Sequence, residues 1–163
     1  MLKNKSIILV LIMVFFALTV LPVSAQNDKL NIAIPGKTQT LDPAYLKRVL
    51  SDWPVMNSIF NGLVKYKPKT FEVVPDLAEE WSISHNDKEV TFKLKKGIQF
   101  HKGYGEFTAE DVKFSFERII DEKANSPEAQ SFSNLNRVEV IDKYTVKLVL
   151  DKPMGRLFTS TLP

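Results

Sequence analysis

Residues 89–120 read EVTFKLKKGIQFHKGYGEFTAEDVKFSFERII, and their hydrophobic period changes midway along the stretch. Val90, Phe92 and Leu94 alternate with polar residues, a period of about two that indicates a strand with one buried face. From Val112 onward the apolar residues follow a period of about 3.6, which is typical of an α-helix. A strand followed closely by a helix predicts a mixed α/β (α+β) fold.

The helix has a clear N-terminal signal. Thr108 is followed three residues later by Asp111, so the hydroxyl and the carboxylate can each satisfy a free amide of the first turn. Glu110 and Asp111 also favour the positive end of the helix dipole. We expect one buried stripe, formed by Val112, Phe116, Ile119 and Ile120.

Alternating patterns on both sides of this helix predict two β-hairpins. The first covers residues 83–94, with the polar residues 85–88 as its connection. The second covers residues 138–150 and turns at Asp142-Lys143. The Gly103-Tyr104-Gly105 run lacks the third glycine and the strand-to-helix setting of a dinucleotide loop, so we interpret it as a turn.

The first part of the chain carries weaker signals. Residues 30–34 alternate over the length of a short strand, which Pro35-Gly36 ends. A helix follows, capped by Ser51 or Asp52 and stopped by Gly62 in the left-handed conformation. Pro54 lies in its first turn, and its core face is predicted to hold Val55, Met56, Ile59 and Phe60.

The N-terminal segment has the order of a secretory signal. Lys3 and Lys5 precede an apolar run over residues 7–21, and Val23-Ser24-Ala25 forms a small-residue cleavage step. We expect cleavage after Ala25. The alternative is a membrane anchor, which requires roughly 20 apolar residues. The chain has no cysteine to carry a lipid, so the expected location is the periplasm or the exterior.

Charge and motif content point away from catalysis and nucleic-acid binding. The whole chain has a net charge of +3, of which Lys3 and Lys5 supply two, leaving +1 for residues 26–163. No nucleophile and base, carboxylate pair or cluster of metal ligands stands out, and His85 and His101 are 16 positions apart. We therefore predict no catalytic residues, no metal and no cofactor. The lysines at 93, 95, 96 and 102 lack interleaved stacking aromatics, so we predict no nucleic-acid partner.

Seven short motifs, in the right order, resemble those of the family 5 extracellular solute-binding proteins, the peptide-binding subunits of ABC importers. The motifs cover the chain from residue 41 to residue 148. They are Leu41-Asp42-Pro43, Phe60-Asn61-Gly62-Leu63-Val64, Pro75-Asp76-Leu77-Ala78-Glu79-Glu80-Trp81, the 92–101 run, Thr108–Val112 with Phe114-Ser115-Phe116, Val140-Ile141-Asp142, and Thr145–Leu148.

The resemblance implies a type II periplasmic-binding-protein-like fold and a role in transport. Residues 26–163 would form a truncated N-terminal part, with part of the first lobe and part of the small extra domain, and without the second lobe. The implied function is capture of oligopeptides or related small solutes by a monomer that docks on an ABC permease, without enzymatic activity. Lys102 and the longer 104–107 loop depart from the family pattern, which puts the local loop shape in doubt.

The resemblance also implies ligand contacts in two segments. The first is the stretch Arg48, Val49, Leu50 and Ser51, with a register uncertain by one residue, although Val49 and Leu50 also fit a plain core role. The second is Glu128, which follows Ser126-Pro127 where some relatives carry an aromatic ring that packs on the peptide. An acid there weakens the case for the same specificity, and surface solvation is its alternative role.

Two other classes of function stay open from the residues alone. A secreted hydrolase would need a nucleophile and a base, which we do not find. A secreted chaperone-like module would use the edges of the hairpins to pair with extended peptide chains.

Overall fold

The computed structural model describes residues 31–46, 52–70 and 72–153. The chain divides into two compact units, Met1–Ala33 and Ile34–Pro163. In the first unit, residues 31–33 contain neither helix nor strand. The helices and strands of the described residues lie in the second unit.

A four-stranded antiparallel sheet is the largest element of the second unit. The two predicted hairpins are confirmed, and they join because β6 (Thr145–Leu150) lies beside β4 (Glu89–Leu94) rather than at the edge. Pairing places Phe92 opposite Val146 and Val90 opposite Leu148, so their side chains share one face. In order across the sheet, the strands are β3 (Ala78–Ile83), β4 (Glu89–Leu94), β6 (Thr145–Leu150) and β5 (Leu135–Asp142).

One helix, α2 (Ala109–Ile120), covers the apolar face of this sheet. Its stripe of Val112, Phe116 and Ile119 is buried as predicted, and Ile120 is half-buried. The rings of Phe116 and Phe132 meet edge to face, with 5.4 Å between centroids. Sheet and helix therefore enclose one hydrophobic core, which confirms the mixed α/β class.

The N-terminal cap of α2 is centred on a carboxylate. Asp111 Oδ2 accepts the backbone N–H of Thr108 at 2.8 Å and the Thr108 hydroxyl at 2.9 Å. The predicted pair of capping residues is therefore present, with Asp111 fixing both the amide and the side chain of Thr108. This arrangement holds the start of the helix beside the β5–β6 turn, where the Ala109 N–H donates to the Lys143 carbonyl at 2.9 Å.

The helix predicted after Ser51 or Asp52 is confirmed as α1 (Asp52–Ile59), but its details differ. The Phe60 N–H still donates to the Met56 carbonyl at 2.8 Å, and the chain then leaves the helix. The left-handed stop at Gly62 is wrong, since Gly62 does not have a positive φ. Met56 is buried, but Ile59 and Phe60 are 42% and 43% exposed, so the predicted core face is only partly covered.

A short hairpin that the sequence analysis did not identify follows α1. Strand β1 (Val64–Tyr66) pairs antiparallel with β2 (Val73–Pro75). Strands of three residues are too short for an alternating pattern to be recognised.

The strand predicted over residues 30–34 is wrong for residues 31–34, which have no strand structure; residue 30 lies outside the described residues. Ile32 is 72% exposed. Alternation gives a segment one apolar face, but a strand also needs a neighbour for its backbone hydrogen bonds. No such neighbour is present among the described residues.

Short 3₁₀ helices connect the main elements. The expected turn at residues 103–105 is confirmed, with Gly103 and Gly105 at φ angles of 76° and 103°, which glycine adopts without steric cost. No described helix is long and apolar enough to cross a bilayer. The 3₁₀ helices are Pro43–Tyr45, His101–Gly103, Glu122–Ala124 and Ala129–Phe132.

Candidate ligand-contact site

The Asp-Pro motif forms a compact turn ahead of the first predicted contact segment. Asp42 is extended, with φ −96° and ψ 115°, as expected for a residue before proline. Its Oδ1 accepts the Ala44 N–H at 3.1 Å and thereby caps the 3₁₀ helix Pro43–Tyr45. Ala44 and Leu46 are buried, so this turn is packed against the body of the domain.

An ion pair fastens this turn to α2. Asp42 Oδ2 binds the guanidinium of Arg118, which lies in the last turn of the helix. The same guanidinium lies 5.5 Å from the centroid of the Tyr45 ring. The Asp42 carboxylate raises the pKa of Arg118, chiefly by hydrogen bonding, so the cation persists at any physiological pH.

Two further hydrogen bonds join the turn to the loop that follows α2. The Tyr45 hydroxyl donates to the Ala124 carbonyl at 2.9 Å. The Ser126 hydroxyl donates to the Ala44 carbonyl at 2.5 Å, and Ser126 is 7% exposed. We call this set of contacts the junction, formed by Asp42, Ala44, Tyr45, Arg118, Ala124 and Ser126.

Glu128 lies next to the junction. It is half-buried, between Ser126 and the 3₁₀ helix Ala129–Phe132, and its N–H donates to the Ser126 hydroxyl at 3.1 Å. The other predicted contacts, Arg48, Val49, Leu50 and Ser51, lie outside the described residues. The junction thus connects the turn that ends at Leu46 with the loop that carries Glu128, and the assignment of ligand contacts stays a prediction.

Asp52 is a buried acid that the sequence analysis considers only as a helix cap. Its side chain is 1% exposed, and its Oδ1 accepts the Gln39 N–H at 3.2 Å. Its Oδ2 has no hydrogen-bond partner among the described residues. A buried carboxylate oxygen without a donor is costly, so Asp52 is a weak point in the packing of α1.

An apolar groove of about 400 Å³ is lined in part by Pro43 and Ala44. Its walls come from the end of α1, from the 98–101 segment and from α2. Phe114 in this groove is 66% exposed and Phe100 is 42% exposed. Other lining residues include Ile59, Phe60, Phe107 and Phe116.

The 104–107 loop is held by a second polar cluster, which we call the Glu106 clasp. The Glu106 carboxylate accepts Lys143 Nζ at 2.8 Å, the Gly97 N–H at 2.7 Å and the Tyr144 hydroxyl at 2.9 Å. These donors, with Lys143 the largest contributor, lower the pKa of Glu106 to about 2. Glu106 in turn raises the pKa of Lys143 to about 12.

A model of the bacterial extracellular solute-binding proteins, family 5 Middle, matches residues 72–163. That is more than half of the chain.

The chain belongs to this family.

Among its relatives is di/tripeptide-binding protein 1 of Pseudomonas aeruginosa strain UCBPP-PA14, 34% identical over 133 residues, a match that covers 72% of this chain and 25% of the relative. The periplasmic binding protein DppA of Helicobacter pylori, solved with the peptide STSA, superposes with a TM-score of 0.66 at 32% identity, over 74% of this chain and 26% of that one. AgaA of A. tumefaciens R10, solved with agropinic acid, superposes with a TM-score of 0.68 at 35% identity, over 76% and 24%.

These matches confirm the family resemblance and the type II periplasmic-binding-protein fold. The chain spans about a quarter of the length of the family 5 relatives it matches. Small-solute binding, rather than catalysis, is the character of the family.

Sequence reasoning missed the partners within the junction. Asp42 belongs to a motif and Ser126 begins the Ser126-Pro127 pair, but neither indicates its partner, and Arg118 gives no signal of its own. Arg118 lies 76 positions from Asp42, and Ser126 lies 82 positions from Ala44. In a single sequence, no short motif indicates that two residues so far apart are in contact. Within the described part of the chain, no group of three or more metal-ligating residues occurs.

Proposed function

We propose that this chain is part of the substrate-binding component of an ABC importer, which captures oligopeptides or related small solutes outside the cytoplasm. The observation that carries the proposal is the structural likeness, at 32% identity, to a periplasmic binding protein solved with the peptide STSA. Relatives named for dipeptides and tripeptides support the same ligand class. The neighbour solved with agropinic acid is the reason for including other small solutes.

The residues proposed to face the ligand are Arg48, Val49, Leu50, Ser51 and Glu128. An extended peptide is held mainly through backbone hydrogen bonds, with pockets adding selectivity. The junction supports this assignment because it fastens the turn before Arg48 to the loop of Glu128. Two segments far apart in sequence are therefore candidates for one wall of the ligand site.

We expect weak binding by this chain, because the proposed contacts would form one wall of a ligand site. Ligand pockets usually bury most of the ligand surface, and one wall supplies only part of that burial. A dissociation constant in the millimolar range, about −4 kcal/mol, is the expected order of magnitude.

An NMR titration tests the ligand assignment at this affinity. The ¹⁵N-labelled full chain is titrated with the peptide Ser-Thr-Ser-Ala, and we expect saturating shifts of the Glu128 amide and of the amides of Asp42, Ala44, Tyr45 and Leu46. The amides of the exposed 85–88 turn serve as an internal control. Glu128→Gln should weaken the response, whereas Glu122→Gln, an exposed acid of the neighbouring 3₁₀ helix, should not. Shifts absent throughout, or confined to the 85–88 turn, would contradict the proposal.

Export and processing belong to the same proposal. We propose cleavage after Ala25, delivery to the periplasm without a lipid anchor, a monomeric protein, and docking on a membrane permease. Mass spectrometry of the exported protein should give a chain that begins at Gln26. An N-terminus that retains residues 1–25 in the exported protein would contradict the assignment of the signal peptide. Permease genes next to the coding sequence are expected, and hydrolysis of the test peptides by the purified chain is not.

A further inference from the structure

The Ser126 hydroxyl makes two hydrogen bonds, one to the 42–46 turn and one to the loop of Glu128. It donates to the Ala44 carbonyl at 2.5 Å and accepts the Glu128 N–H at 3.1 Å. Ser126 is 7% exposed, so water competes little for either bond. One buried hydroxyl therefore touches both the turn before Arg48 and the loop of Glu128.

We propose that Ser126 is a positioning residue, which fixes the 42–46 turn against the loop of Glu128 and couples ligand contact at one of them to the other. This inference rests on the proposed function. The bond to Glu128 alone is a local serine turn, common in loops. The bond to Ala44 is different because it joins residues 82 positions apart and is not part of the local serine turn.

Arg118 and Tyr45 support the same turn in other ways. Arg118 belongs to α2 and holds Asp42 against that helix. Its side chain is 35% exposed, so solvent weakens its ion pair. The Tyr45 hydroxyl reaches Ala124, two residues ahead of Ser126. Ser126 is the member of the junction that bonds directly to both segments.

Amide exchange in the absence of ligand tests the coupling. Ser126→Ala should raise the exchange rate of the Tyr45 amide, which donates to the Asp42 carbonyl at 3.0 Å, by about fivefold, as expected for loss of one buried hydrogen bond. Ser126→Thr keeps a hydroxyl and should restore the parent rate to within about twofold. Ser115→Ala is the matched control, since Ser115 is exposed and its hydroxyl donates within α2, to the Asp111 carbonyl at 2.8 Å. A Tyr45 amide unaffected by Ser126→Ala would overturn the coupling.

Peptide titration separates a positioning role from a merely structural one. In the parent chain, the Tyr45 and Glu128 amides should titrate with Ser-Thr-Ser-Ala at one dissociation constant. In Ser126→Ala that constant should rise about fivefold, and Ser126→Thr should restore it. Equal affinities for the parent chain and Ser126→Ala would overturn the positioning role. If the parent chain shows no peptide shifts, the proposed function is contradicted. If Ser126→Ala nevertheless raises the exchange rate of the Tyr45 amide as expected, the link between the two segments is still supported.

Discussion

The sheet with α2 and the segment before residue 63 differ in how they are held. The first is packed on itself, with Phe92, Val146 and Leu148 fully buried beneath one helix. The second contains a helix with two exposed apolar residues at its end and a stretch without the expected strand. The predicted hairpins and α2 bury their apolar faces against one another in one core. The end of α1 and residues 31–34 leave apolar side chains exposed.

The largest effect should come from the core of the first region. Phe116→Ala removes a ring that packs against Phe132 in the buried stripe, and the expected loss is about 3–5 kcal/mol in the free energy of unfolding. Phe114→Ala is the control on the same helix, since Phe114 is 66% exposed and should change stability by about 0.5 kcal/mol or less. Urea unfolding measures both. Similar losses for the two variants would show that α2 is not packed as described.

A smaller effect is expected at the start of the same helix. Thr108→Ala removes the hydroxyl that donates to Asp111, and about 1 kcal/mol of stability should be lost. Thr108→Ser keeps the hydroxyl and should retain most of it. Equal urea midpoints for Thr108→Ala and the parent chain would show that the Thr108 hydroxyl does not stabilise the start of α2.

The Glu106 clasp predicts a dependence on pH. The pKa of Glu106 is lowered from 4.5 to about 2, so its contribution to stability is complete above pH 4.5 and is lost as the pH falls through about 2. Glu106→Gln should lower the thermal midpoint at pH 7, and the difference from the parent chain should vanish near pH 2. The effect should be modest and should decrease with salt, because the clasp lies at the surface. Glu122→Gln is the control, and a difference from the parent that grows toward low pH would contradict the assignment.

The smallest effect should lie in the segment that failed to form a strand. Ile32→Ser should change the free energy of unfolding by about 0.5 kcal/mol or less, since Ile32 is 72% exposed. Had residues 30–34 been a strand with a buried face, the same substitution would cost several times more. A loss above about 1 kcal/mol in urea unfolding would show that Ile32 is packed after all.

Much of the fold could be predicted because its signals are local. The two hairpins follow from alternation within a few residues, and α2 follows from a cap and a stripe within 13 residues, Thr108 to Ile120. The three-residue strands β1 and β2 escaped notice because they are shorter than any recognisable period. Exposure at the end of α1 could not be read from spacing, since a helical face shows where apolar residues point but not what covers them.

The candidate site was less accessible to sequence reasoning than the fold. The motif at Asp42 was visible, but its ionic partner Arg118 looked like an ordinary basic residue in the last turn of a helix. Ser126 looked like a loop serine before proline. Glu106 stands in the loop that departs from the family pattern, and the structure shows how its carboxylate holds that loop in place.

Sequence alone determined the class of fold, the two hairpins, the capped helix and the family, because each depends on residue order within short windows or on motifs read in succession. Only the tertiary structure decided that β6 lies beside β4, that Asp42 meets Arg118, and that Ser126 bridges Ala44 and Glu128. These contacts join residues far apart in the chain. Which residues meet depends on how whole helices and strands pack, and the order of residues within a short window does not determine that packing.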